Sequence, residues 1–211
     1  MFAIIQAAGW PIWPLLACSI VALALIIERS MTLRESKVMP PKLLQDAIAV
    51  SQHQLPAADT VHKLEQSSPL GRVLASGFRL LAVQPGADRQ TIDDTMEDTG
   101  RHVAHSLERY LPGLATIASA APLLGLLGTV VGMIEIFGSQ APTGGNPALL
   151  AHGISVALYN TAFGLIIAVP TLMLHRYFRS KVDSFVLQLE SSSKRFADHL
   201  QRLSRKQSAA S

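Results

Sequence analysis

Three long stretches of this chain carry no Asp, Glu, Lys or Arg: residues 1–27, 110–134 and 136–174. In lipid, every backbone N–H and C=O must be bonded within its own segment, so a crossing segment is a helix of about 20 apolar residues for a core of ~30 Å. The first two stretches match one crossing each. The third is too long for one, but it contains GSQAPTGGNPA at 138–148, a Gly-, Pro- and Asn-rich segment that reads as a tight polar turn. Crossings are therefore predicted at about Trp10–Ile27, Pro112–Phe137 and Leu149–Leu174. The fold class that follows is an all-α membrane protein with three transmembrane helices and long cytoplasmic helical extensions.

The basic residues orient it. All 18 Lys and Arg lie within 28–110 and 175–211. The N-terminal stub and the 138–148 turn have none, so the positive-inside rule puts both basic segments in the cytoplasm and the N-terminus outside. The expected organisation is an outer stub with helix 1 (1–27), a cytoplasmic helical domain (28–111), helix 2 (112–137), an outer turn (138–148), helix 3 (149–174) and a cytoplasmic helical tail (175–211). Helix 1 has no positive segment before it and runs on through Ile26 and Ile27, so it reads as a retained span and not a cleaved leader. The pI near 9.2 reflects this topology and is no sign of nucleic-acid binding. Cys18 stands alone inside a span and reads as a small packing residue.

The cytoplasmic segments read as helices broken at Pro40-Pro41, Pro56, SSPLG (67–71) and QPGAD (84–88). Ile92, Met96, Val103, Leu107 and Leu111 form an apolar stripe at helical spacing. Asp88, Asp93, Asp94, Glu97 and Asp98 crowd its first turns, where a helix N-terminus favours acids. Pro112 and Pro122 are expected to bend this helix and not to end it. Val182, Phe185, Val186, Leu189, Phe196 and Leu203 continue a stripe beyond the third span. The two stripes are expected to pack on one another and on neighbouring copies.

Small residues dominate one face of each later span: Gly125, Gly128 and Gly132 in the second, and Gly153, Ala157, Thr161, Gly164 and Ala168 in the third. Lipid gives apolar helices no hydrophobic reason to associate, so close backbone approach at small residues is what joins them. This predicts a tight bundle with the small faces between subunits. Thr129 and Thr161 lie on these faces. A hydroxyl there either bonds to a carbonyl of its own preceding turn or lines a polar path.

The motifs APLLGLLGTVVGM (121–133) and GISVALYNTAFGLIIAVP (153–170) resemble the ExbB/TolQ/MotA family of ion-driven motor subunits, ExbB and TolQ most closely. The resemblance covers all three spans, their order, the long first cytoplasmic segment and the tail. It implies a homopentameric ring in a bacterial inner membrane, with the 138–148 turn in the periplasm. Within the ring it implies a dimer of an ExbD- or TolR-like single-span protein whose membrane Asp carries the proton. The assembly would use proton motive force to drive a TonB- or TolA-like protein. Thr129 and Thr161 match the family's polar pore residues. No cofactor, no metal and no enzymatic activity are implied.

One position departs from that pattern. ExbB and TolQ typically carry Glu where this chain has Val156. Asn160, one turn further along the same face, is the candidate replacement polar group, though an amide cannot titrate. Glu135, near the outer end of the second span, is the candidate intramembrane acid, with an interfacial Glu as the alternative reading. His152 lies at a similar depth and either pairs with it or caps the turn. A proton-channel subunit is the leading function. A non-conducting structural ring or adaptor is the second, and it is favoured by Val156. An intramembrane enzyme lacks any HExxH motif, metal-ligand cluster or nucleophile–base pair in the spans.

Overall fold

The computed structural model describes residues 10–52, 55–138 and 147–210, and all regular structure among them is helical. The elements are α1 (Ile12–Thr32), α2 (Glu35–Val38), α3 (Leu43–Val50), α4 (Ala58–Ser67), α5 (Pro69–Val83), α6 (Arg89–Glu108), α7 (Leu111–Gly138) and α8 (Pro147–Ala210). Three helical runs are long and apolar enough to cross a membrane: Ile12–Thr32, Arg89–Gly138 and Gly153–Arg205. The chain divides into two compact units. One combines Met1–Arg29 with Tyr110–Phe178, the other Ser30–Arg109 with Arg179–Ser211.

The membrane unit is built from α1, α7 and the first part of α8. Its centre is Leu15, Ala121 and Ala168, one residue from each helix, with Leu124, Phe163 and Ile167 packed around them. Ile20, Leu23, Leu126, Val130, Ile166 and Met173 are exposed large apolar residues, as lipid contact requires. Pro122 and Pro170 sit inside continuous helices. Pro112 interrupts the hydrogen-bond ladder, while the helical run continues from Arg89 to Gly138 and Arg109 keeps helical angles, as expected of a bend. The interruption is the turn at Arg109 and Tyr110, between the end of α6 at Glu108 and the start of α7 at Leu111. Pro112 has no N–H to give to the Glu108 carbonyl and its ring clashes with that group, so the ladder breaks there.

In the second unit, Ile92, Met96, Val103 and Leu107 of α6 are buried, and so are Val182, Phe185, Leu189, Phe196 and Leu203 of the α8 tail. The two stripes meet around α5 within one chain. Phe78 of α5 meets Phe196 edge-on with ring centroids 5.0 Å apart. A Cβ on Gly77 would stand 2.6 Å from Leu200 Cδ1 and 3.1 Å from Met96 Sδ, so this position lets three helices converge. Polar ties hold the tail at both ends. Arg179 Nη1 lies 3.1 Å from Glu108 Oε1, and Ser204 Oγ donates to the Pro85 carbonyl at 2.9 Å. Arg89 pairs with Asp93 on its own helix and reaches Asp198 on the tail. The corner at SSPLG is capped: Ser68 Oγ accepts from Gly71 N at 3.0 Å, with Pro69 opening α5.

Candidate functional site between the second and third membrane helices

Glycine determines how near α7 and α8 come. A Cβ on Gly125 would fall 2.7 Å from the Asn160 carbonyl oxygen and 3.0 Å from Thr161 Cα. One on Gly128 would meet Asn160 Cβ at 2.7 Å, and one on Gly164 the Ala121 carbonyl oxygen at 2.6 Å. On Gly132 it would touch Ala157 Cβ at 3.2 Å, and on Gly153 it would overlap Ile136 Cδ1 at 2.4 Å. The small faces of α7 and α8 therefore meet within a single chain. This corrects the expectation that these faces lie between subunits: the stripe indicates close approach, but the covalently adjacent helix already fills it.

The polar residues divide by environment. Asn160 is 2% exposed, pressed against Gly125 and Gly128. Thr161 is half-buried, and its Oγ1 is closed off with no hydrogen-bond partner among the described residues. Thr129 is also half-buried, but its hydroxyl donates to the Leu126 carbonyl at 2.7 Å. Thr129 thus makes the local back-bond, while Thr161 does not. In hydrocarbon a buried hydroxyl without a partner is costly, so water or another chain has reason to reach it. Ser155 bonds to the Ala151 carbonyl at 2.9 Å, and Tyr159 is exposed.

Glu135 is exposed, three residues before the end of α7. The side chains of His152 and Val156 lie outside the described residues, as does most of the 138–148 turn, so a Glu135–His152 pair is not placed. No cluster of three or more His, Cys, Asp or Glu that could hold a metal occurs among the described residues.

Sequence reasoning missed a polar cluster where α1 ends and α7 begins. Arg29 is 3% exposed and makes a two-point pair with the neighbouring Glu28, one bond measuring 2.7 Å from Nη2 to Oε1. Its guanidinium lies 4.9 Å from the centroid of the Tyr110 ring. The signal available was a basic residue at the end of an apolar helix, which is too weak to pair with a residue so distant in sequence. Thr171, buried in α8, and His175 one turn later were also passed over. Thr171 donates to the Ile167 carbonyl at 2.7 Å, whereas His175 Nδ1 is buried with no hydrogen-bond partner among the described residues.

Apolar helices long enough to cross a membrane, closing tightly over small residues, define a helical membrane protein. The chain belongs to the MotA/TolQ/ExbB proton channel family, which matches residues 65–191. It is similar to the biopolymer transport protein exbB1 of Vibrio cholerae, 33% identical over 171 residues, covering 79% of this chain and 74% of the relative. It is also similar to the Tol-Pal system protein TolQ of Pseudomonas aeruginosa, 33% identical over 150 residues, covering 66% and 62%. The TolQ of Haemophilus influenzae is 38% identical over 112 residues, covering 50% and 48%.

Proposed function

We propose that this chain is the ring-forming subunit of an inner-membrane proton channel. It acts with an ExbD- or TolR-like single-span partner to couple proton motive force to a TonB- or TolA-like envelope system. The carrying observation is the hydroxyl of Thr161: closed off between apolar helices, without a hydrogen-bond partner among the described residues, on the helix that the family match includes. In this reading Thr129 and Thr161 supply a hydrated polar wall and Asn160 assists from the helix interface. The titrating carboxyl belongs to the partner, so the chain needs no acid at the Val156 position. The glycine faces hold α7 to α8 within each subunit, and a homopentamer forms through the remaining exposed faces. The N-terminus lies in the periplasm and the tail in the cytoplasm.

The assembly part is tested by purifying the tagged chain from its native membrane and recording native mass spectra. Five copies with two copies of a single-span protein support the reading. A ring that carries no single-span partner favours the structural-adaptor alternative instead.

A further inference from the structure

Thr161 Oγ1 and His175 Nδ1 are both closed off without a hydrogen-bond partner among the described residues, and both belong to α8. Fourteen residues separate them. At 3.6 residues per turn this is within about 40° of four whole turns, so they share one face, with ~21 Å of helix between. The antiparallel contacts Gly132–Ala157, Gly125–Thr161 and Gly164–Ala121 define the α7–α8 register. Carrying that register onward brings His175 level with the first turn of α7, at the cytoplasmic end of the unit.

Polar stops lie between the two ends. Pro122, seven residues before Thr129 and so on nearly the same face of α7, has no N–H, which leaves the Ala118 carbonyl without its intrahelical donor. Ser119 is exposed, and its hydroxyl proton is shared by the Ala115 and Thr116 carbonyls at 3.1 and 3.0 Å, which leaves its lone pairs to accept from water. Glu28 and Arg29 pair with each other over Tyr110, and Arg176 beside His175 is a donor only.

Resting on the proton-channel reading above, we propose that His175 is the proton-relaying group at the cytoplasmic end of the path that Thr129 and Thr161 begin. The neutral ring carries its hydrogen on Nε2 and a lone pair on Nδ1. Nδ1 takes a proton from a water on the membrane side and the ring becomes an imidazolium. The Nε2–H then passes its proton to cytoplasmic water, and a flip of the ring about its Cβ–Cγ bond, not exchange with the membrane-side water, carries the remaining N–H towards the cytoplasm and restores a lone pair on the membrane side. One proton enters and one leaves, with no net change in the ring. The ring suits this because His175 is half-buried, with one nitrogen closed in, and because imidazole has two nitrogens, each of which can bind or release a proton.

The test is proton uptake into liposomes holding the complex purified with its native partner, driven by an imposed potential. Wild type, His175→Ala and His175→Asn are compared with and without added imidazole. His175→Asn keeps an acceptor near the Nδ1 position but has no second nitrogen to release a proton, and it covers the case in which His175→Ala does not assemble. The expected result is a fall in flux of about tenfold or more in both variants, with assembly retained in at least one and with dose-dependent recovery on adding imidazole. Wild-type flux in the assembled variants overturns the proposal, as does a loss of flux that imidazole leaves unchanged, since a merely structural histidine gives that pattern. A wild-type complex that does not conduct is a different result: it overturns the proton-channel reading, and this inference with it.

Discussion

At the scale of single residues, two threonines that look equivalent in the sequence are not equivalent in the structure. Thr129 returns its hydroxyl to Leu126, while Thr161 keeps a closed-off hydroxyl with no partner among the described residues. Only the Thr161 group has an unmet bond to offer, so its removal is expected to matter more. Gly128 is a close packing position, because an added Cβ meets three atoms of Asn160 within 2.9 Å. Gly128→Leu is expected to separate α7 from α8 and to lower recovery of folded, detergent-solubilised protein several-fold, read by size-exclusion chromatography. Recovery equal to wild type would remove glycine contact as the basis of the helix pair. Glu135→Gln is expected to leave proton-driven activity within about twofold of wild type at matched expression, since the residue is exposed near the end of α7. Abolished activity would make Glu135 the acid that stands in for the missing one at Val156. The presence of polar groups in apolar helices was legible from the sequence. Which of them lack a partner was not, because a hydroxyl's bond to the turn before it depends on a rotamer that spacing does not determine.

At the scale of elements, the corner between α4 and α5 depends on a few atoms. Ser68 caps α5 through Gly71 N, and a Cβ on Gly71 would lie 2.2 Å from the Leu64 carbonyl oxygen. Ser68→Ala is expected to cost about 1 kcal/mol, and Gly71→Ala about 3 kcal/mol, because backbone must move. Thermal melts followed by circular dichroism would rank them, and the reverse order would contradict the corner as described. Asp88 caps α6 by accepting from Thr91 N at 2.8 Å, and its bonds to Thr91 hold its carboxyl below the usual range. A depressed folded-state value stabilises above the unfolded value near 3.9 and is lost as pH falls through the folded one. Protection of the first turn of α6 should therefore fall on acidification below about pH 4, by amide hydrogen exchange, and less so in Asp88→Asn. Equal loss in both would show that another group carries the effect. Helices and their apolar stripes were readable because burial repeats with the helical period. The interruption at Pro112 was legible from its missing N–H, but the contact of Ser51 with His199, 2.9 Å apart across the unit, has no local signal at all.

At the scale of the whole molecule, the one-sided charge pattern predicts an orientation that labelling can check. With Cys18 replaced by Ala, a cysteine at Gly138 should react with an impermeant thiol reagent in intact cells, while one at the highly exposed Val83 should react only after the membrane is opened. Labelling of the Val83 position in intact cells would invert the orientation. The three crossings were legible because charge is excluded from lipid, and the family because its glycine and threonine motifs are strict. The sharing of the small faces was not legible, since a stripe of glycines calls for a near neighbour without saying whose. The central claim is that Thr161 lines a proton path. It is tested most directly by proton flux into liposomes containing the complex purified with its native partner, comparing wild type with Thr161→Val, which keeps the shape and removes the hydroxyl. The account predicts potential-driven flux in wild type and about a tenfold or larger fall in the variant, with the subunit count unchanged. Equal flux in the two complexes would contradict it.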